Sequence, residues 1–149
     1  MRCPECGAAY IEPGDSCAAR FDTLLALDHS RREPWGSRHG MAFAAYALQH
    51  PALHARSLNN AFAALVRIYV DREPRAEVFA RLRSSRGALP AGWKVPTRPA
   101  GPVRAPSTTI ADLGEFGAET YTTKLDDWCR AALAMWGVDA GATSSPPAV

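Results

Sequence analysis

Apolar residues along this chain recur three and four positions apart in separate blocks, with no convincing strand between them. After a cysteine-bearing stretch and loop at 1–14, "GDSCAARFDTLLALDH" places Cys17, Phe21, Leu24 and Leu25 on one helical face. Asp15 or Ser16 is positioned to cap the free amides of that helix's first turn, so Cys17 sits in the first turn and faces the core. "SRREPWGSR" breaks the helix. A second helix runs from about Arg38 to Gln49 and stops at Pro51, because the residue before a proline is pushed out of helical geometry. A third, about Ala55 to Asp71, turns Leu58, Phe62, Leu65 and Tyr69 inward. A shorter fourth begins near Pro74 and turns Val78, Phe79 and Leu82 inward.

Residues 84–106 hold five prolines, three glycines and Trp93 without any period, which predicts a long crossover loop. "STTIADLGE" then reads as a helix entry, with Thr109 three residues before Asp112 in a capping pattern. The last helix, about Glu115 to Trp136, aligns Tyr121, Leu125, Trp128, Ala132 and Met135, and Gly137 suits its stop. "VDAGATSSPPAV" at 138–149 reads as a disordered tail. The expected fold is all-α: a four- to five-helix bundle with an N-terminal zinc knuckle over 1–17, in one domain spanning 1–137.

Composition changes this picture little. The chain has 149 residues and is 47% hydrophobic, weighted to alanine and leucine, which suits helices. No apolar run reaches the roughly 18 residues that cross a bilayer. Charge and cysteine stand where a signal peptide would have its apolar core, so a cytoplasmic protein is expected, and cysteines there more often bind metal or react than form disulfides. The net charge of +2 is unremarkable, but no acidic residue lies between Glu77 and Asp112, where Arg81, Arg83, Arg86, Lys94, Arg98 and Arg104 fall. A basic stretch can recruit nucleic acid or anionic ligands. Without interleaved aromatics or a nucleic-acid fold motif, a solvated arginine loop is the preferred reading.

The candidate chemistry begins at "MRCPECGAAY". Cys3 and Cys6 form a C-x-x-C pair, and Gly7 lets a tight turn follow. Zinc takes about four such ligands in a tetrahedron. Cys17 offers a third thiolate from a helix N-terminus, where the helix dipole favours negative sulfur. If the first two helices pack antiparallel, the end of the second returns beside Cys17 and brings His50, with His54 one turn on as a reserve ligand. His39 starts that helix and lies roughly 16 Å from His50 at about 1.5 Å rise per residue, so the two cannot share one ion. A redox dithiol is the alternative for the pair, but no βαβ pattern follows it. Cys129, in the last helix, reads as a buried thiol.

His39, Phe43, Tyr46 and His50 share one face of the second helix. His39 and Tyr46 are therefore candidate catalytic residues, as an acid–base pair or as holders of a polar ligand. A hydrogen-bonded core pair is the simpler reading. Trp93, Trp128 and Trp136 could wall an apolar pocket beside them.

"CPECGA" at 3–8, Cys17 with Phe21, and "H-x5-AYALQHP" from His39 to Pro51 resemble a group of small bacterial proteins known as domain of unknown function 5946. The likeness continues through the third helix, the Trp93 loop and the "TIADL" entry. It brings no activity with it, and implies that Cys3, Cys6, Cys17, His39, Tyr46, Gln49 and His50 form one recurring constellation. The family pattern has an acidic residue where this chain carries Ala44, and a histidine in the third helix near Ala64. Both departures weigh against an enzyme here.

The functional expectation is a small zinc-binding helical protein whose Zn2+, held by Cys3, Cys6, Cys17 and His50, is structural and supports a binding or accessory module. Its partner would be a protein or a small molecule, with neither nucleic acid nor membrane expected. The alternative is a metal-dependent or acid–base enzyme with a pocket around His39 and Tyr46, lidded by the 84–106 loop.

Overall fold

The computed structural model describes residues 1–141, so residues 142–149 of the expected tail lie outside the described residues. Five helices and no strand are found among those described: α1 (Cys17–His29), α2 (His39–Gln49), α3 (Leu58–Tyr69), α4 (Arg75–Ser84) and α5 (Tyr121–Met135). The protein is all-α. No helix among the described residues is long and apolar enough to cross a membrane.

α2 is the axis of the bundle. Its alanines at 42, 44, 45 and 47 leave room for α3 and α5 to approach on two sides, and Met41 and Leu48 fill the space between them. α1 is capped as its sequence predicts, by Ser16, whose hydroxyl accepts the Ala19 N–H at 3.0 Å. Its buried face carries Cys17, Phe21, Leu24 and, one step further in the same stride, Asp28.

Two boundaries differ from the periodicity. α3 begins at Leu58, because residues 55–57 form a 3-10 turn where the chain winds back after Pro51. α5 begins at Tyr121 rather than near Glu115. Gly114 and Phe116 both take a positive φ of 61°, which no helix continues through. Phe116 is buried there, and its carbonyl accepts the Trp35 indole N–H at 2.9 Å.

The "TIADL" entry survives as a capped 3-10 turn over Ile110–Leu113. The Thr109 hydroxyl accepts the Ala111 N–H, and the Asp112 carboxylate accepts the Thr109 N–H at 2.8 Å. Asp112→Ala removes half of this box and should cost about 1 kcal/mol in urea unfolding. An unchanged midpoint would show the box to be ornamental.

The crossover loop is laid on the bundle by its aromatic and basic residues. The Trp93 ring lies between the guanidinium groups of Arg67 and Arg81, at 5.1 and 5.2 Å. Arg98 stacks 5.0 Å from the Trp136 ring and reaches Asn59. Part of the acid-free basic stretch thus holds the fold through cation–π contacts. Trp93, Trp128 and Trp136 do not line a common pocket: the last two are buried against the end of α2.

Candidate metal centre

Residues 1–10 fold back on themselves. The Cys3 N–H donates to the Ala8 carbonyl at 2.8 Å, the Gly7 N–H returns to the Cys3 carbonyl at 3.0 Å, and Tyr10 and Met1 close the ends. Gly7 turns the chain at a φ of +81°, a conformation glycine adopts without strain. The Glu5 carboxylate accepts the Ala52 N–H at 2.7 Å, which latches this knuckle to the chain leaving α2.

Pro51 forces α2 to end, and a helix end leaves carbonyls without partners. Here each is met. The His50 N–H turns to the Ala47 carbonyl, the Trp136 indole donates to the Leu48 carbonyl at 2.8 Å, and the His50 imidazole engages the Tyr46 carbonyl through Nδ1 at 2.8 Å. A carbonyl only accepts, so Nδ1 carries a proton, and in the neutral ring Nε2 keeps its lone pair. Nε2 is buried and has no hydrogen-bond partner. Against it lie the sulfurs of Cys3, Cys6 and Cys17, with the four ligand atoms all within 4.8 Å of one another. A buried nitrogen with a free lone pair beside three thiols fits a metal ion, and this cluster could hold one.

The electrostatics are those of sulfurs crowded around one charge. Cys17 is lowered to about 4, first by the hydrogen bond from Cys6 and, against the cost of burial, by His50 and Tyr10. Cys6 moves up, because it is the donor in that bond (sulfur to sulfur 3.5 Å) and is itself buried. Burial opposes a charge on His50, but the Cys17 sulfur and the Tyr46 carbonyl outweigh it and raise its pKa. Tyr10 brings its hydroxyl to 3.0 Å from the Cys17 sulfur, and burial followed by that contact keeps it protonated. Sequence reasoning missed Tyr10. Its place at the return of the knuckle, seven residues before Cys17, was the available signal.

The remaining candidates separate from this cluster. His54 is not in it: the ring packs edge-on against Phe43 and Tyr46, each at 5.4 Å. Cys129 is a fully buried thiol beside the Met41 carbonyl. The Tyr46 ring is sandwiched between Phe21 at 4.0 Å and His50 at 4.1 Å, and burial and then the Cys17 charge push its pKa up to about 12. It therefore braces the His50 ring. Gln49, fully buried, accepts the Trp128 indole N–H at 2.9 Å and donates to the Thr108 carbonyl at 2.8 Å, a purely architectural role.

His39 stands apart, at the start of α2. Its Nδ1 meets the Asp28 carboxylate at 2.9 Å; Asp28 is wholly buried at its side chain, while His39 is 40% exposed. His39 borders a cavity of about 380 Å³ between α2, α3 and α4, and a second one of about 600 Å³ beside it. Tyr46 lines neither. Ala44 and Ala64 form part of the floor of the first, so that floor is apolar.

The family described as "Family of unknown function (DUF5946)" matches residues 1–137. No curated protein and no solved structure matches the chain.

Proposed function

The chain belongs to this DUF5946 family, which lends it no activity, and from its own residues we propose that it is a zinc-stabilised helical module. Cys3, Cys6, Cys17 and His50 would be the four ligands, and the ion a clamp joining the knuckle to the start of α1 and the end of α2. The observation that carries this is the His50 imidazole: Nδ1 is committed to the Tyr46 carbonyl, and Nε2 is left buried and unpartnered beside three thiols. Metal-binding histidines are commonly oriented this way by a second hydrogen bond.

Thiolate-rich sets with one imidazole favour zinc. Zinc–sulfur bonds of about 2.3 Å put tetrahedral sulfurs roughly 3.8 Å apart. The 3.5 Å between Cys6 and Cys17 is close to that spacing. Four protein ligands would close the coordination sphere, which favours a structural metal over one that activates water. The module would then act by binding a protein or a small molecule.

The test is zinc content of the purified chain. One zinc per chain is expected, falling toward zero in Cys6→Ser and His50→Ala, and releasing protons on binding so that affinity drops as pH falls. Full-length, well-folded protein without metal and with intact thiols would sink the proposal. A second reading, an acid–base enzyme, has one observation in its favour, the His39 ring oriented by Asp28 at a cavity mouth. Tyr46 adds nothing to it there.

A further inference from the structure

The cavity beside His39 has no part in the metal reading, and its walls have a definite character. One side is apolar: Phe43, Ala64, Phe79 and Leu82 border it, and Phe79 and Leu82 remain half-buried although they are the residues α4 turns inward. Gly40 makes this wall possible, since a Cβ there would lie 2.7 Å from the Phe79 ring. The rim is basic. Arg56 borders the first hollow and Arg83 the second, and the two hollows share His39, Gly40, Phe79 and Leu82.

No aspartate or glutamate borders either hollow. Among the described residues Arg56 and Arg83 meet no carboxylate, no other hydrogen-bond acceptor and no ring, unlike the arginines at 67, 81 and 98. Asp28 holds the His39 ring from behind, through Nδ1, so Nε2 is the nitrogen left for a ligand. At about 380 Å³ the first hollow falls within the range of small-molecule sites, about 300–1,000 Å³.

We propose that this cavity is a binding site for a small amphiphilic anion. Its apolar body, about the size of one aromatic ring, would rest on Phe43, Phe79 and Leu82. Its carboxylate or phosphate group would take hydrogen bonds from His39, which the two hollows share, and from Arg56 on the side of the first hollow, with Arg83 adding its charge from the side of the second. Guanidinium groups suit such anions because their planar donors match two oxygens at once. The inference does not depend on the proposed metal site, whose His50 lies at the other end of α2.

The test is an amide-resolved NMR titration of the full chain as purified, with phenyl phosphate as the probe and inorganic phosphate and benzyl alcohol as comparisons. Saturable shifts are expected at Gly40, Phe43, Asn60, Phe79 and Gly87. Phenyl phosphate should bind at least about tenfold more tightly than either comparison, because each lacks one half of the recognition. The Arg56→Ala/Arg83→Ala double variant changes two exposed residues and should fold normally. It should bind phenyl phosphate about tenfold or more weakly while leaving benzyl alcohol binding unaltered. Three results would overturn the proposal: no saturation by about 10 mM, a range that would leave no useful affinity; shifts spread over other arginines; or equal binding of the phosphate ester and the alcohol.

Discussion

Cys17→Ser, or treatment of the unaltered protein with a strong zinc chelator, should abolish the cooperative thermal transition followed by circular dichroism. Cys17 is the hub of the cluster: its sulfur lies within hydrogen-bond distance of the Cys6 sulfur and the Tyr10 hydroxyl, and beside His50. It also belongs to the first turn of α1, so the ion would tie that helix to the knuckle and to the end of α2 at once. Metal binding that depends on a folded site is folding free energy, on the order of 10 kcal/mol in zinc-finger peptides. Domains have a total stability of about 5–15 kcal/mol, so little would remain. Cys129→Ser is the control. It alters a buried thiol outside the cluster, and should lower stability modestly while zinc content stays at one per chain. Equal effects of the two substitutions on metal content would contradict the assignment.

Gln49→Ala should be the most damaging change away from the cysteine–histidine cluster. The side chain is fully buried and serves two partners, the Trp128 indole N–H and the Thr108 carbonyl. Truncation leaves both unpaired in an apolar interior, at about 1–3 kcal/mol each, and opens a void. A loss of about 4 kcal/mol in urea unfolding is expected, with the zinc content unaltered. A loss below about 1 kcal/mol would mean that the carbonyl and the indole find other partners.

The helices were legible because their signals are local. The Ser16 cap, Pro51 as a stop, and the four- and three-residue stride of α1 each act within a turn or two, and the structure keeps them. The start of α5 was not legible, because the positive φ values at Gly114 and Phe116 that delay it go with packing Phe116 into the core, a contact no local signal announces. The grouping of Cys3, Cys6, Cys17 and His50 followed from spacing and helix direction.

What holds His50 in place did not follow. Its orientation comes from the carbonyls that Pro51 strands at the end of α2, a demand visible only once the helix end is placed against Trp136. Asp28 left a signal that could have been read. It continues the Cys17, Phe21, Leu24 face, and a carboxylate on an apolar stripe needs a partner, which proves to be His39. The basic stretch carries more than solvated charge: Arg81, exposed on α4, and Arg98, in the loop, also lie on tryptophan rings.

Zinc K-edge X-ray absorption of the purified protein addresses the central claim most directly, since it counts ligands by type. The account predicts one zinc per chain with three sulfurs at about 2.3 Å and one imidazole nitrogen at about 2.0 Å. A first shell with two or fewer sulfurs, a water oxygen in place of His50, or no bound zinc at all would contradict it.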